Sequence, residues 1–434
     1  MKTIPYLINY KKLKSSPFYY WIRIIAIYSP FLFLVFFLKT KTGHWWDNYL
    51  FSQWADYNSS HGLKNAYDSG TDYLPLYQYV LYLFGKMQEN PWLIWDKLYN
   101  LKNVTILFEF GTTLFLFKYL EGKWKDTDKA ILYSLFYFLN IAVLYNSLVW
   151  GQVDGIMTFF IVGAVLFAWK RKLFLSLLFL LLAINFKLQA IIFLPLVGLL
   201  LLPLLKEKGI IKKILFSTVA LSIILVLIYL PFILGGHFPH IWKNVIVGSV
   251  GRYSVVSMNA NNLWYMFMKD DPMQVQNTVT FLGITYKNWG FFLFFLSAFF
   301  ALFHFLKPVY QIFFKKIKAN FSEKKVWISA ALIPLIFFFF NVEMHERYSH
   351  PALIFLAFYA FLYKKPLPYI IISIAYLLNL ETATKYFAFS FYSAIFFKAG
   401  FIATLYLIGI ILLYLDLYDV KFKPLKRQTK SPPI

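Results

Sequence analysis

Apolar residues along the chain fall into long runs, such as Val326 to Phe340 and Phe401 to Leu415, and the charged residues are almost confined to the gaps between them. A bilayer-crossing helix needs about 20 mainly apolar residues, and runs of this kind are its pattern. The spacing predicts helices at 21–38, 103–120, 131–146, 154–169, 173–185, 188–205, 214–234, 288–306, 326–341, 350–363, 367–380 and 399–416. The expected fold is an all-α integral membrane protein of about twelve spans, one polytopic domain over 1–416 followed by a basic cytoplasmic tail over 417–434. The first run, Trp21 to Leu38, is bulky and lacks a small-residue cleavage site, so it is expected to stay as an anchor.

Two inter-helix segments are long, about 39–102 and 235–287, and a long segment in a compact protein is usually functional. The first is rich in Trp, Tyr and Asp, with an amphipathic stretch near Trp45 to Tyr57 suited to the interface plane. Composition agrees with the membrane reading: 60% of residues are hydrophobic, 22% aromatic and only 15% charged, more apolar surface than a water-soluble domain can bury. The formal net charge of +23 is spread as short clusters between apolar runs, which points to membrane topology and away from nucleic acid. With both termini placed in the cytoplasm, 28 of the 43 basic residues fall in the inner segments and 14 in the longer outer ones, as the positive-inside rule requires. Arg23 sits within a span. The absence of cysteine excludes disulfides and thiolate metal sites.

With sidedness assigned, the unusual polar clusters fall on the outer face. Asp47 follows the first helix closely, where a carboxylate can serve as general base to a hydroxyl or can simply be solvated; Asp56, nine residues on, is more ambiguous. Asp72 and Tyr73 share the same segment. Gln152 and Asp154 follow Trp150, which suits an interfacial anchor, and Asp154 opens a span, where a carboxylate is either functional or a complement to the helix dipole. Lys187 with Gln189 lies between two apolar runs, as a snorkelling lysine or as a cation facing phosphate. His345, Glu346 and Arg347 are three consecutive ionisable residues just after an apolar run; Arg347 offers a planar fork to a lipid phosphate and His345 a hydrogen bond. Arg252, Asn259, Asn262 and Trp264 offer a cation, amides and an indole, the usual means of holding a carbohydrate. There is no Gly-rich phosphate loop and no Ser/His/Asp arrangement, and His345, Glu346 and His350 lack the spacing of a helical zinc motif.

These residues resemble the GT-C superfamily of multi-spanning glycosyltransferases, which use polyprenyl-phosphate-linked sugars. Asp47 occupies the position of that family's first-loop aspartate, and Asp72-Tyr73-Leu74-Pro75-Leu76 looks like its Asp-Tyr-Pro-Pro-Leu with one proline lost. Trp150-Gly151-Gln152-Val153-Asp154, Phe186-Lys187-Leu188-Gln189 and His345-Glu346-Arg347 are similar to motifs of the prokaryotic relatives, in the same order. The resemblance implies an inverting transfer of mannose or glucose at the extracytoplasmic face of a prokaryotic cell membrane. The donor would be a polyprenyl-phosphate sugar and the acceptor a glycan or lipid-linked glycan. Asp47 would act as base while Lys187, His345 and Arg347 hold the leaving phosphate. Some members use a divalent metal; the single well-matched first-loop aspartate here leans toward no metal and no cofactor. A transporter or lipid-linked glycan flippase is the alternative, and it would favour ionisable groups at the midplane and internal repeats.

Overall fold

The computed structural model describes residues 17–420 apart from 250 and 318, so the N-terminal lysines and all but the start of the predicted tail lie outside the described residues. The described chain is mostly helical, with almost no sheet. The helices are α1 (Pro17–Leu38), α2 (Trp45–His61), α3 (Pro75–Lys86), α4 (Pro91–Asp96), α5 (Lys102–Trp124), α6 (Thr127–Phe138), α7 (Ile141–Leu144), α8 (Asp154–Trp169) and α9 (Leu173–Phe186). They continue as α10 (Leu194–Leu201), α11 (Ile210–Leu234), α12 (Tyr286–Phe303), α13 (Leu306–Phe313), α14 (Glu323–Phe340), α15 (Ala352–Tyr363), α16 (Leu367–Thr384) and α17 (Ala399–Leu417).

Each predicted apolar run is therefore helical, but not each is a continuous rod. The run at 131–146 breaks into α6 and α7, with a bend of 49° between α6 and the segment Ile141–Trp150. Asn140 makes the break, its side-chain oxygen accepting from the Ala142 amide at 2.9 Å as a helix N-cap does. The chain then tightens no further but widens, through a π-helical turn at Tyr145–Trp150. The run at 188–205 is a 3₁₀ turn, the short α10 and a second 3₁₀ turn, with Pro195 and Pro203 removing amide donors near each junction. Among the described residues, six helices are long and apolar enough to cross a membrane, or seven if the bent pair forms one span. The others fall short for physical reasons: α8, α9 and α15 have 16, 14 and 12 residues, and α14 opens with Glu323, Lys324 and Lys325.

Packing is inverted relative to a water-soluble bundle. Helices α1, α11 and α12 turn large apolar side chains outward, with Phe37 77%, Ile211 78% and Phe295 65% exposed. Polar and charged groups such as Glu109, Asp154, His350, Asn379 and Glu381 are buried inside. That arrangement is stable when the surroundings are lipid, because polar groups then find partners only within the bundle. Arg23 pairs with Asp128 at the start of α6.

The first long segment folds as a helical cap. One face of α2 buries Phe51, Trp54 and Ala55 against α3, while Trp45, Trp46 and Tyr49 face outward. The two helices approach closely enough that a Cβ on Gly85 of α3 would stand 2.4 Å from the Ala55 carbonyl oxygen. The second long segment departs from the all-α expectation. Its strand β1 (Ser257–Met258) pairs in parallel with β4 (Met344–His345), and β2 (Thr280–Phe281) with β3 (Ile284–Thr285) form a small hairpin. The β1–β4 pair ties this segment to the loop after α14.

Candidate functional site

At one end of the bundle the two long segments and several helix ends surround a cavity of about 470 Å³. Of the residues singled out in the sequence, Asp47, Asp72, Tyr73, Lys187, Gln189, Arg252, Asn259, His345, Glu346 and Arg347 line it. Stretches separated by as much as 300 positions thus meet at one end of the molecule.

Asp47 stands in the first turn of α2. Its Oδ2 accepts from the Trp150 indole at 2.8 Å and from the Gln152 amide at 2.6 Å, with His44 Nδ1 at 3.4 Å. No hydrogen bond among the described residues engages Oδ1. The indole is fixed from both faces, stacked on His44 at 4.9 Å and covered by the Arg347 guanidinium at 5.5 Å. Gly151, at φ +85°, lets the chain reverse between Trp150 and Gln152 so that both donors aim at one oxygen. Tyr73 donates to the other end of Gln152, its hydroxyl 3.1 Å from Oε1. Burial pushes the Asp47 carboxyl upward, but the charge of Arg347 and the His44 and Trp150 donors outweigh it and hold the group well below the usual carboxylate range. Asp47 is ionised at any physiological pH.

The cationic half of the site is built on Asp154, which is fully buried at the start of α8. Lys187 Nζ lies 2.5 Å from its Oδ1, and Arg347 Nε lies 3.6 Å from its Oδ2. Arg347 also donates to Glu346 at 2.6 Å, and Lys187 sits over the Tyr348 ring at 4.9 Å. Burial lowers the Lys187 pKa, and the Asp154 charge offsets part of that. The β1–β4 pairing places Met258 opposite His345, and a further bridge joins Asn259 to His345. Burial, then the charges of Arg347 and Lys187, push the His345 pKa well below its ordinary value. It is therefore a neutral imidazole with one N–H to donate. The site combines an ionised carboxylate, two cations and a neutral donor around one space.

The remaining residues divide by partner. Asp72 pairs with Arg252, joining the two long segments across the cavity mouth, and Gln189 donates to the Tyr348 carbonyl at 2.8 Å. Gln152 and Asp154 stand behind the wall, supporting Asp47 and the cations, and Asp56 lies further along α2, away from the lining. Asn262 and Trp264 do not reach the cavity. The Asn262 amide donates to the carbonyls of Phe338 and Asn341 at 3.1 and 3.3 Å, and the Trp264 indole to Asn341 at 3.3 Å. Both are buried at the end of α14, whose last carbonyls need donors, so their polar groups are consumed there. Trp150 is 2% exposed and is a partner of Asp47, not an interfacial anchor.

Sequence reasoning missed His44, three residues before Asp47, and gave no role to Tyr253 and Tyr348, which lie in its outer polar clusters and also line the cavity. It also passed over Glu109, which binds His350 at 2.8 Å and Tyr137 at 2.9 Å inside the bundle; a glutamate within an apolar run was the available signal. Among the described residues no three His, Asp or Glu side chains converge as a metal-ligand set. The chain matches no protein-family model, and no curated protein matches it.

Proposed function

We propose that this chain is an inverting glycosyltransferase of the GT-C type, moving mannose or glucose from a polyprenyl-phosphate donor to a glycan or lipid-linked glycan at the outer face of a prokaryotic membrane. In this reading the chain crosses the bilayer twelve times, the short α8, α9 and α15 being inner spans covered by the longer ones, and both termini are cytoplasmic. The observation that carries the proposal is the pairing, in one cavity, of an ionised Asp47 with Arg347 and Lys187. A sugar phosphate needs cations for its leaving oxygen, and an acceptor hydroxyl needs a base on the other side of the anomeric carbon.

The chemistry then runs as one displacement. The acceptor hydroxyl oxygen attacks the anomeric carbon and its proton passes to Asp47. The bond from that carbon to the phosphate oxygen breaks with its electron pair, and the released lipid phosphate is held by Arg347, Lys187 and the His345 N–H. Arg347 also sets the timing. Its charge depresses Asp47, and a phosphate bound to Arg347 would offset that charge and make Asp47 a stronger base.

The test is transfer of labelled sugar in proteoliposomes across a panel of polyprenyl-phosphate hexoses. Asp47→Asn is expected to lower transfer by roughly 10²–10⁴-fold, the range of general base catalysis, while the protein still inserts. Wild-type turnover in that variant would remove Asp47 as the base.

A further inference from the structure

We infer that Lys102, outside the cavity, is the positioning residue that holds the base Asp47 and its indole donor Trp150 in register; this rests on the transferase reading above. Lys102 is the first residue of α5 and is only 3% exposed. A buried ammonium is ordinarily paired with a carboxylate, yet among the described residues no acidic group bridges to it. Its Nζ is instead ringed by oxygens of two chain segments. From the linker after α1 come the Thr40 carbonyl at 2.9 Å, the Thr40 hydroxyl at 3.0 Å and the Thr42 carbonyl at 2.5 Å. From the π-helical turn come the carbonyls of Leu148 at 2.7 Å and Val149 at 3.1 Å.

These two segments matter because of what each carries next. The linker leads through His44 into α2, five residues from Thr42 to Asp47. The turn ends on Trp150, one residue after Val149. A single ammonium with three N–H donors therefore bonds both chains immediately before the two side chains that must meet. Little else spans the gap: the Thr40 amide reaches the Leu148 carbonyl at 3.3 Å, and its hydroxyl reaches the same oxygen at 2.9 Å. Space is shaped to the lysine stem as well. A Cβ on Gly151 would stand 3.0 Å from Lys102 Cε, and one on Gly43 would stand 3.0 Å from the Trp150 carbonyl oxygen. The nearby Lys39 is turned away from the ring, donating to Asn100 and Asn103 at 2.8 and 2.6 Å. Without the ammonium, inward-facing carbonyls on both segments would lose their shared donor and the segments would part.

Lys102→Met keeps the stem and removes the head. In the transfer assay it should lower kcat at least tenfold and leave KM for the donor within twofold, because Arg347, Lys187 and His345 are untouched; a merely structural defect would lower the active fraction and leave the pH dependence of the remainder unchanged. The acid limb of kcat should therefore also move upward, since Asp47 loses the alignment of its indole donor. Thr40→Val, which keeps the ammonium but removes one of its acceptors together with that hydroxyl's own bond to the Leu148 carbonyl, should lower kcat two- to fivefold and serves if Lys102→Met does not fold. Wild-type kcat in the variants, or a lowered kcat with an unmoved acid limb, would overturn the inference. A second measurement needs no turnover. Amide hydrogen exchange in residues 39–47 should quicken at least tenfold in Lys102→Met, or measurably in Thr40→Val, with α14 unchanged, and unchanged exchange in 39–47 overturns the role. A wild-type protein with no transfer from any donor would count against the transferase reading, leaving the exchange result to decide the positioning role.

Discussion

At Asp47 two opposing effects act on one carboxyl. Burial alone would favour the protonated acid, yet Arg347 and the converging donors win, so the carboxyl is ionised. The indole N–H of Trp150 can be removed from that balance by Trp150→Phe, which also shrinks a fully buried ring held between His44 and Arg347. Trp150→Phe deletes a hydrogen bond to a charged group, a contribution of about 1.5–3 kcal/mol. Its loss favours the protonated form, so the Asp47 pKa rises. Because the carboxylate must be ionised to accept a proton, activity is lost as pH falls through that pKa, and the acid limb of the kcat profile should move upward in the variant. A limb that stays in place would mean that the indole does not tune the base. The Asp154–Lys187 pair behaves differently: both groups are buried, and a lone member would be left as an uncompensated charge, which typically costs about 3–5 kcal/mol. At this scale the sequence identified the chemically capable residue types, but their partners were out of its reach. Nothing in the spacing says that Trp150 faces Asp47 or that Asn262 faces α14.

At the scale of elements, the placement of Asp47 depends on how α2 lies on α3. Their contact is set by Gly85, whose missing side chain lets the Ala55 carbonyl approach. Gly85→Ala puts a methyl group 2.4 Å from that oxygen, so the helices must separate. Overpacking of this kind typically costs about 1–3 kcal/mol. Thermal unfolding in detergent should show a lowered midpoint, and transfer should fall with it, since α2 carries Asp47, the proposed base; an unchanged midpoint would show that the cap has slack. The broken helix α6–α7 is the other decisive element. Its apolar run reads as a single span, and the break at Asn140 followed by the π-helical turn is what brings Trp150 round to the cavity. The Asn140 cap was legible in principle; the widened turn was not, because it is stabilised by the Lys102 bonds from another helix.

Across the whole molecule, charge is sorted to two ends. Helix α5 runs from Lys102 near the cavity to Trp124, about 30 Å away at 1.5 Å per residue. At that far end Tyr20 donates to Glu121 at 2.8 Å, Lys123 binds Glu323 at 2.6 Å and Lys324 binds Asp416 at 2.9 Å. Lys123 and Lys324 lie in the segments after the helices predicted at 103–120 and 288–306, which the positive-inside count places on the cytoplasmic side. Reporter fusions at Lys123 and Ser257 should therefore report opposite sides of the membrane. The same side for both would undo the sidedness on which an outer active site depends.

Hydrophobic runs are local and their effects add along the chain, so the sequence by itself determined the helices, their order and the concentration of polar motifs at helix ends. It could not determine which runs are broken or which polar groups meet. Those outcomes turn on partner choice: a buried polar group is costly unless it is bonded, and its partner can come from any part of the chain the fold brings near. The tertiary structure alone joined Asp47 to Trp150 and Gln152, turned Asn262 and Trp264 away from the cavity, and ringed Lys102 with the carbonyls of two distant segments.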